Sequence, residues 1–235
     1  LEPALRTCED LGRREPILIV AHQCTTDLAI QAGRKGLALR AAEQARVQKP
    51  GERGLWERVL RLYQDRLSDL TIDEAPRDLN AALAFIESYV DRMRRAFPGD
   101  AQDLGLQLAL TLAEVGRGDY NHGRIDQAIQ SLQRSVQSEP SAAALEQLGL
   151  IYLKRGQGGE ALSALERARA LQQADRRLEP LLKLYFKARV GRLLADALDL
   201  QAQADKARSA DLHEQAQDLR QKTLKDWEQV LAVEQ

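Results

Sequence analysis

The chain has 235 residues, of which 29% are charged and 44% hydrophobic, with a formal net charge of −1. That apolar fraction suffices for a packed core, which excludes global disorder, and no basic excess draws the chain to nucleic acid or an anionic membrane. Aromatic residues make up only 4% while Ala, Leu, Gln, Glu and Arg dominate, so helix is favoured over strand.

No segment approaches the ~20 continuous apolar residues of a membrane span; the best run, 16–21, is far too short. The chain begins at Leu1 rather than Met, so the lack of a visible leader says little. The cytoplasm is slightly favoured, with a periplasmic or lipid-anchored fragment as the alternative. Cys8 and Cys24 are the two cysteines. They read as buried free thiols, with a disulfide as the alternative.

In chain order, the first pattern is Gly33, Ala38, Ala42, Ala45 and Pro50, at steps suited to the second helix of a hairpin, without a recognisable first half. Trp56, Val59 and Tyr63 then mark one face of a helix. Residues 71–78 read as an inserted loop, with Thr71 and Glu74 as a possible capping box and Pro76 near the start of a helix to about Ala96. Phe97-Pro98-Gly99 breaks the chain. In 104–112 every second residue is Leu, the period of a strand, but no β-branched residue precedes Thr111, so helix is expected. Residues 116–123 hold three glycines and read either as continued helix or as loop.

The clearest pattern is Leu145, Leu148, Gly149, Tyr152, Gly156, Ala161, Leu165 and Ala168. Leu145, Leu148 and Tyr152 share one helical face, the glycines of 155–159 end that helix, and Ala161, Leu165 and Ala168 form the inner stripe of a second starting near Glu160. A shift of 33 residues finds an upstream echo in Leu112, Val115, Gly116, Gly123, Ala128, Leu132 and Ser135, closed by Pro140. A weaker downstream echo falls at Leu178, Leu181 and Tyr185. A fixed period of this size means stacked helix pairs, each too small to bury its own apolar face. Beyond about Leu193 the chain is polar with an intermittent apolar stripe. It reads as a capping helix, or a pair breaking near Ser209, with docking through Trp227 as the alternative.

Residues 145–168 resemble the tetratricopeptide repeat (TPR), with Leu145 in place of its Trp, Leu165 in place of its Phe, and no closing Pro. The resemblance implies an all-α fold, a superhelix of helix pairs with a long C-terminal capping region. The expected divisions are 1–98 for degenerate pairs, 99–192 for repeats (clearest over 142–174) and 193–235 for the cap.

Little in the chain suggests catalysis. His22, His122 and His213 are widely spaced, and Cys24 lies two positions from His22, on a different helical face. Gly156-Gln157-Gly158-Gly159 lacks the Lys-Ser/Thr of a phosphate loop. Arg117-Gly118-Asp119 spells an adhesion tripeptide by chance. Neither enzyme activity nor a metal or cofactor is expected.

The resemblance instead implies a concave groove lined by the first helix of each pair. It places there Arg61 and Gln64, then Arg117 and Tyr120, then Leu150, Leu153 and Lys154, then Lys183, Phe186 and Lys187. Arg61, Arg117 and Lys183 repeat a basic residue at one register, which would suit an acidic or carboxylate-bearing peptide with apolar anchors. Lys and Arg are also common on any solvated helix face, and that plainer explanation stands beside the groove. The expected function is a protein-interaction scaffold or adaptor, bacterial in its composition. The alternatives are a regulatory or sensor domain of a longer protein and, behind it, a small-molecule-binding helical domain. Replacing Ala161 by Phe should overpack the clearest pair, at a cost on the order of 1–3 kcal/mol, read as a lowered melting temperature.

Overall fold

A computed structural model describes residues 1–72, 76–176 and 178–233, and the described residues form eleven α-helices and one 3-10 turn. Two compact units divide the chain, Leu1–Thr111 and Leu112–Gln235.

Unit 1 contains α1 (Glu2–Arg14), α2 (Ile19–Gln31), α3 (Lys35–Gln48), α4 (Arg53–Ile72), α5 (Pro76–Ala96), the 3-10 turn Pro98–Asp100 and the first half of α6 (Ala101–Asn121). Ala38, Ala42 and Ala45 of α3 are buried as their spacing predicts. Their partner α2 is the half that the pattern lacked. It buries Thr25, Thr26 and Ala29 in place of large signature residues, and both hydroxyls donate to carbonyls one turn back, Ala21 and His22. Thr71 and Ile72 complete α4 and Pro76 opens α5, so 71–72 and 76–78 of the expected loop are helical. Residues 73–75, among them Glu74 of the expected capping box, lie outside the described residues.

The cysteines are not free. Cys8 and Cys24 form a disulfide that joins α1 to α2, which corrects the reading as thiols. The cause is local: the fully buried Leu5 seats α1, and Cys8, one turn on, comes within 6.0 Å (Cα to Cα) of Cys24, within the range a disulfide can bridge.

Trp56 and Val59 of α4 are buried, as is Tyr89 of α5. The Tyr89 ring lies 5.4 Å from that of Trp56, and Phe85 lies 4.2 Å from Tyr63. The guanidinium of Arg46, from α3, sits 4.5 Å above the Trp56 ring. Burial raises the Tyr63 and Tyr89 hydroxyls above their usual pKa, with the Glu43 carboxylate adding to the effect.

Unit 2 holds the rest of α6, with α7 (Ile125–Ser138), α8 (Ala142–Lys154), α9 (Gly158–Ala174), α10 (Pro180–Ala204) and α11 (Ser209–Val233). Residues 104–112 are helical as expected, and 116–121 continue the same helix. The loop begins only at the turn, where Gly123 takes φ 76°; Gly156 takes φ 75° after α8. These left-handed values favour glycine and set up a tight hairpin. Across the first turn Arg124 Nε donates to the buried Asp119 carboxylate at 2.7 Å. Ser141 caps α8, its hydroxyl accepting from the Ala144 amide at 3.2 Å.

Within each hairpin a first-helix glycine receives a large side chain. A Cβ on Gly149 would lie 2.5 Å from Leu165 Cγ, and one on Gly116 would lie 2.7 Å from Leu132 Cγ. Leu148, Ala161 and Leu165 are buried as expected. Tyr152 is only half-buried, because its hydroxyl reaches outward to accept from Gln133 Nε2 at 2.9 Å.

The 33-residue step fails after α9. The next glycine in this role is Gly191, facing Thr223, 42 positions beyond Gly149. The echo residues Leu181 and Tyr185 accordingly sit exposed near the start of α10 rather than in the core. The break ahead of Ser209 is as expected, but the long pair it divides begins at Pro180. Tyr185 meets Trp227 edge-on at 5.4 Å. Asp199 of α10 takes His213 Nδ1 at 2.8 Å and also pairs with Arg220. Its partial burial pushes its pKa up, but these partners outweigh that and hold it below its usual value. A Cβ on Gly158, in the first turn of α9, would lie 2.7 Å from the backbone nitrogen of Gln201 on α10.

The chain is thus an all-α array of helix pairs, the fold that the tetratricopeptide resemblance implies. Because the disulfide spans a sequence separation of 16, Cys8→Ser should destabilise unit 1 by on the order of 3 kcal/mol. Urea unfolding of parent and variant without reductant checks this, and reduction of the parent should reproduce the loss.

Candidate partner-binding face

Of the ten candidate residues, Arg61 and Gln64 lie in unit 1 and the other eight in unit 2. Arg61 is exposed, while Gln64 is half-buried and donates from Nε2 to Thr111 Oγ1 at 2.7 Å.

In unit 2 the first helices of successive pairs are α6, α8 and α10. The structure brings Tyr120 and Lys154 together, 34 positions apart on neighbouring first helices. The Lys154 ammonium donates to the Tyr120 hydroxyl and lies 4.7 Å from the ring centroid, within cation–π range. Leu150 is exposed one turn before Lys154. Arg117 is exposed three residues before Tyr120 and pairs with Glu114 at 3.4 Å. Leu153 turns inward instead, packing against the cluster that contains Ala161 and Leu165.

The residues of α10 are arranged differently. Because Glu146 of α8 meets Arg189, 43 positions on, Lys183, Phe186 and Lys187 sit more than two turns toward the start of α10 from the place that a 33-residue step assigns them. Lys187 points to α11 and pairs with Asp226 at 2.7 Å. Lys183 and Phe186 are half-buried, and Phe186 lies 5.5 Å below the Arg189 guanidinium.

Sequence reading missed Glu146 and Arg189. Arg189 Nε reaches Glu146 Oε1 at 2.5 Å. The Glu146 side chain is 4% exposed, so its charge needs this partner. The Glu146 carboxylate beside it raises the Arg189 pKa, against the opposing effect of its own burial. A sequence signal existed: Glu146, Leu150 and Lys154 recur at four-residue steps and so share a helix face.

The result is a solvated face with an apolar centre (Leu150, Tyr120) and two cationic groups (Arg117, Lys154). It can hold a carboxylate and an apolar side chain together. Among the described residues, no group of three or more His, Cys, Asp or Glu side chains could hold a metal ion, and no helix is long and apolar enough to cross a membrane.

No family model matches the chain, and no curated protein matches it. Several solved structures are similar. The MamA protein is 18% identical over 92% of this chain and 96% of its own, with a TM-score of 0.45. BtubC from P. vanneervenii is 13% identical over 94% and 88%, with a TM-score of 0.40. A thermophilic TPR protein of Thermus thermophilus is 20% identical over 81% and 88%, with a TM-score of 0.35.

Arg189→Ala should strand the Glu146 carboxylate in a buried position and destabilise the protein by about 1–3 kcal/mol, measured by urea unfolding. The Arg189→Ala/Glu146→Leu double variant should recover much of that loss.

Proposed function

We propose that the chain is a protein-interaction scaffold, with no catalysis of its own, that binds an acidic or carboxylate-bearing peptide on the first-helix face of unit 2. The observation that carries this reading is the Tyr120–Lys154 contact. It places a cation and an aromatic ring side by side on neighbouring helices, beside the exposed Leu150. A peptide carboxylate can pair with Lys154 or Arg117 while an adjacent apolar residue covers Leu150, the combination of charge pairing and apolar anchoring common in peptide grooves. The Arg117–Glu114 pair is exposed on both sides and contributes little to stability, so Arg117 can exchange it for a peptide carboxylate.

Selection from a random peptide library should enrich Asp and Glu next to a large apolar residue. For the enriched peptides, the Arg117→Glu/Lys154→Glu variant should bind at least about tenfold more weakly, a difference of ~1.4 kcal/mol, by fluorescence anisotropy. Its circular dichroism should match the parent. Enriched peptides without acidic residues, or equal binding by both proteins, would remove the face from consideration.

A further inference from the structure

Few contacts hold α1 to the rest of unit 1. Of its 13 residues Leu5 alone is buried. The helix runs antiparallel to α2: Cys8 is bonded to Cys24, and a Cβ on Gly12 would meet the His22 ring at 3.4 Å and the Ala21 methyl at 3.8 Å. That register sets Leu5 level with Leu28, which is half-buried. Beyond α2, Glu2 pairs with Arg34 at 3.1 Å, but both side chains are about half exposed, so the pair contributes little.

A helix of this length is marginal on its own in water. One buried leucine and an exposed ion pair offset little of the freedom that α1 gives up on docking. The covalent bond supplies the rest, because with Cys8 fixed to Cys24 the helix cannot leave the α2 face.

The remainder of unit 1 is packed without α1. Helix α3 buries Ala38, Leu39, Ala41, Ala42 and Ala45, and α4 and α5 share the cluster of Trp56, Tyr63, Phe85 and Tyr89 rings. The turn that follows α1 is fastened separately. His22 Nε2 donates to the Pro16 carbonyl at 2.8 Å, and Gln48 Nε2 of α3 reaches the same oxygen at 3.4 Å. The chain is thus pinned just past α1, and the helix has a fixed point about which to swing. Both cysteines are only half-buried, so the bond is open to an attacking thiolate.

We propose that the Cys8–Cys24 disulfide is a reducible latch: a dithiol opens it, and α1 then leaves α2 as a unit while α3, α4 and α5 stay folded. A thiolate of the reductant attacks one cysteine sulfur. The S–S bond breaks, a mixed disulfide forms, and the other cysteine departs as a thiolate that takes up a proton. The second thiol of the reductant then displaces the protein sulfur. The reductant ends as its own disulfide, and Cys8 and Cys24 end as thiols, having gained two electrons and two protons between them. Release uncovers the α2 face around Ala21, Cys24 and Leu28, together with the Leu5 side of α1. Exchange with an oxidised disulfide closes the latch again.

The test is hydrogen–deuterium exchange of the whole chain, read by mass spectrometry, before and after dithiothreitol. Dithiothreitol should reduce the bond without denaturant, seen as a mass gain of two hydrogens. Amides of 2–14 should then exchange at least about tenfold faster, as for a locally opened helix, while those of 35–48 and 53–72 keep their rates. Oxidised glutathione should restore the slow exchange. The Cys8→Ser/Cys24→Ser variant should exchange as the reduced parent does, with or without dithiothreitol, which separates loss of the bond from any other action of the reductant. A bond that resists dithiothreitol until urea is added would overturn the proposal. So would slow exchange of 2–14 after reduction, or an acceleration that spreads equally through 35–72.

Discussion

The seating of a second-helix leucine on a first-helix glycine is the contact on which the rest of unit 2 depends. Gly116 with Leu132 and Gly149 with Leu165 repeat it at the same separation. The missing methyl group lets the helix axes approach, and the leucine then fills the space between them. Everything nearby follows from that approach. Ala128, Ala161 and Ala168 are fully buried because a larger residue would push the pair apart. The turns must be short, so they use left-handed glycines. Neighbouring pairs then share one apolar layer, with α7 and α8 contributing to a single cluster and α9 and α10 to another.

That contact also explains what could be read from the chain and what could not. The hairpins 112–135 and 145–168 were legible because glycine and leucine sit where only their size fits. The α2–α3 hairpin was half legible. Its second helix kept the alanine stripe, but α2 buries threonines that satisfy their own hydroxyls, and a threonine pattern does not announce a core helix. The disulfide was hidden for a related reason, since nothing in the spacing of Cys8 and Cys24 shows that α1 folds back on α2.

On the candidate face the legible part was local and the illegible part was a matter of register. Tyr120 and Lys154 come together across neighbouring helices, while Leu153, one 33-residue step beyond Tyr120, turns inward. The α10 residues fall outside that step, because the nine extra positions between Gly149 and Gly191 cannot be seen without knowing which glycine is the counterpart. Glu146 belongs to no motif of the sequence. Only the return of Arg189 across it shows that it is buried and paired. The two sides of α8 thus differ in kind: one is held by polar contacts between first helices, the other is shaped by the size of the second-helix side chains beside it.

Gly158 has a wider reach than the glycines that seat side chains. Its neighbours are the main-chain atoms of Ala197 and Gln201, and backbone cannot step aside as a leucine can. The crossing of α9 over α10 therefore acts as a fulcrum. From Gln201 back to Pro180, α10 extends roughly 30 Å, so a rotation of about 5° at the crossing carries its far end by roughly 2–3 Å. A methyl group added at residue 158 would press on that crossing, and a rotation of such a size would be felt at Tyr185 and Phe186. The position of those rings thus depends on the far end of their helix as well as on Trp227 and Arg189 beside them.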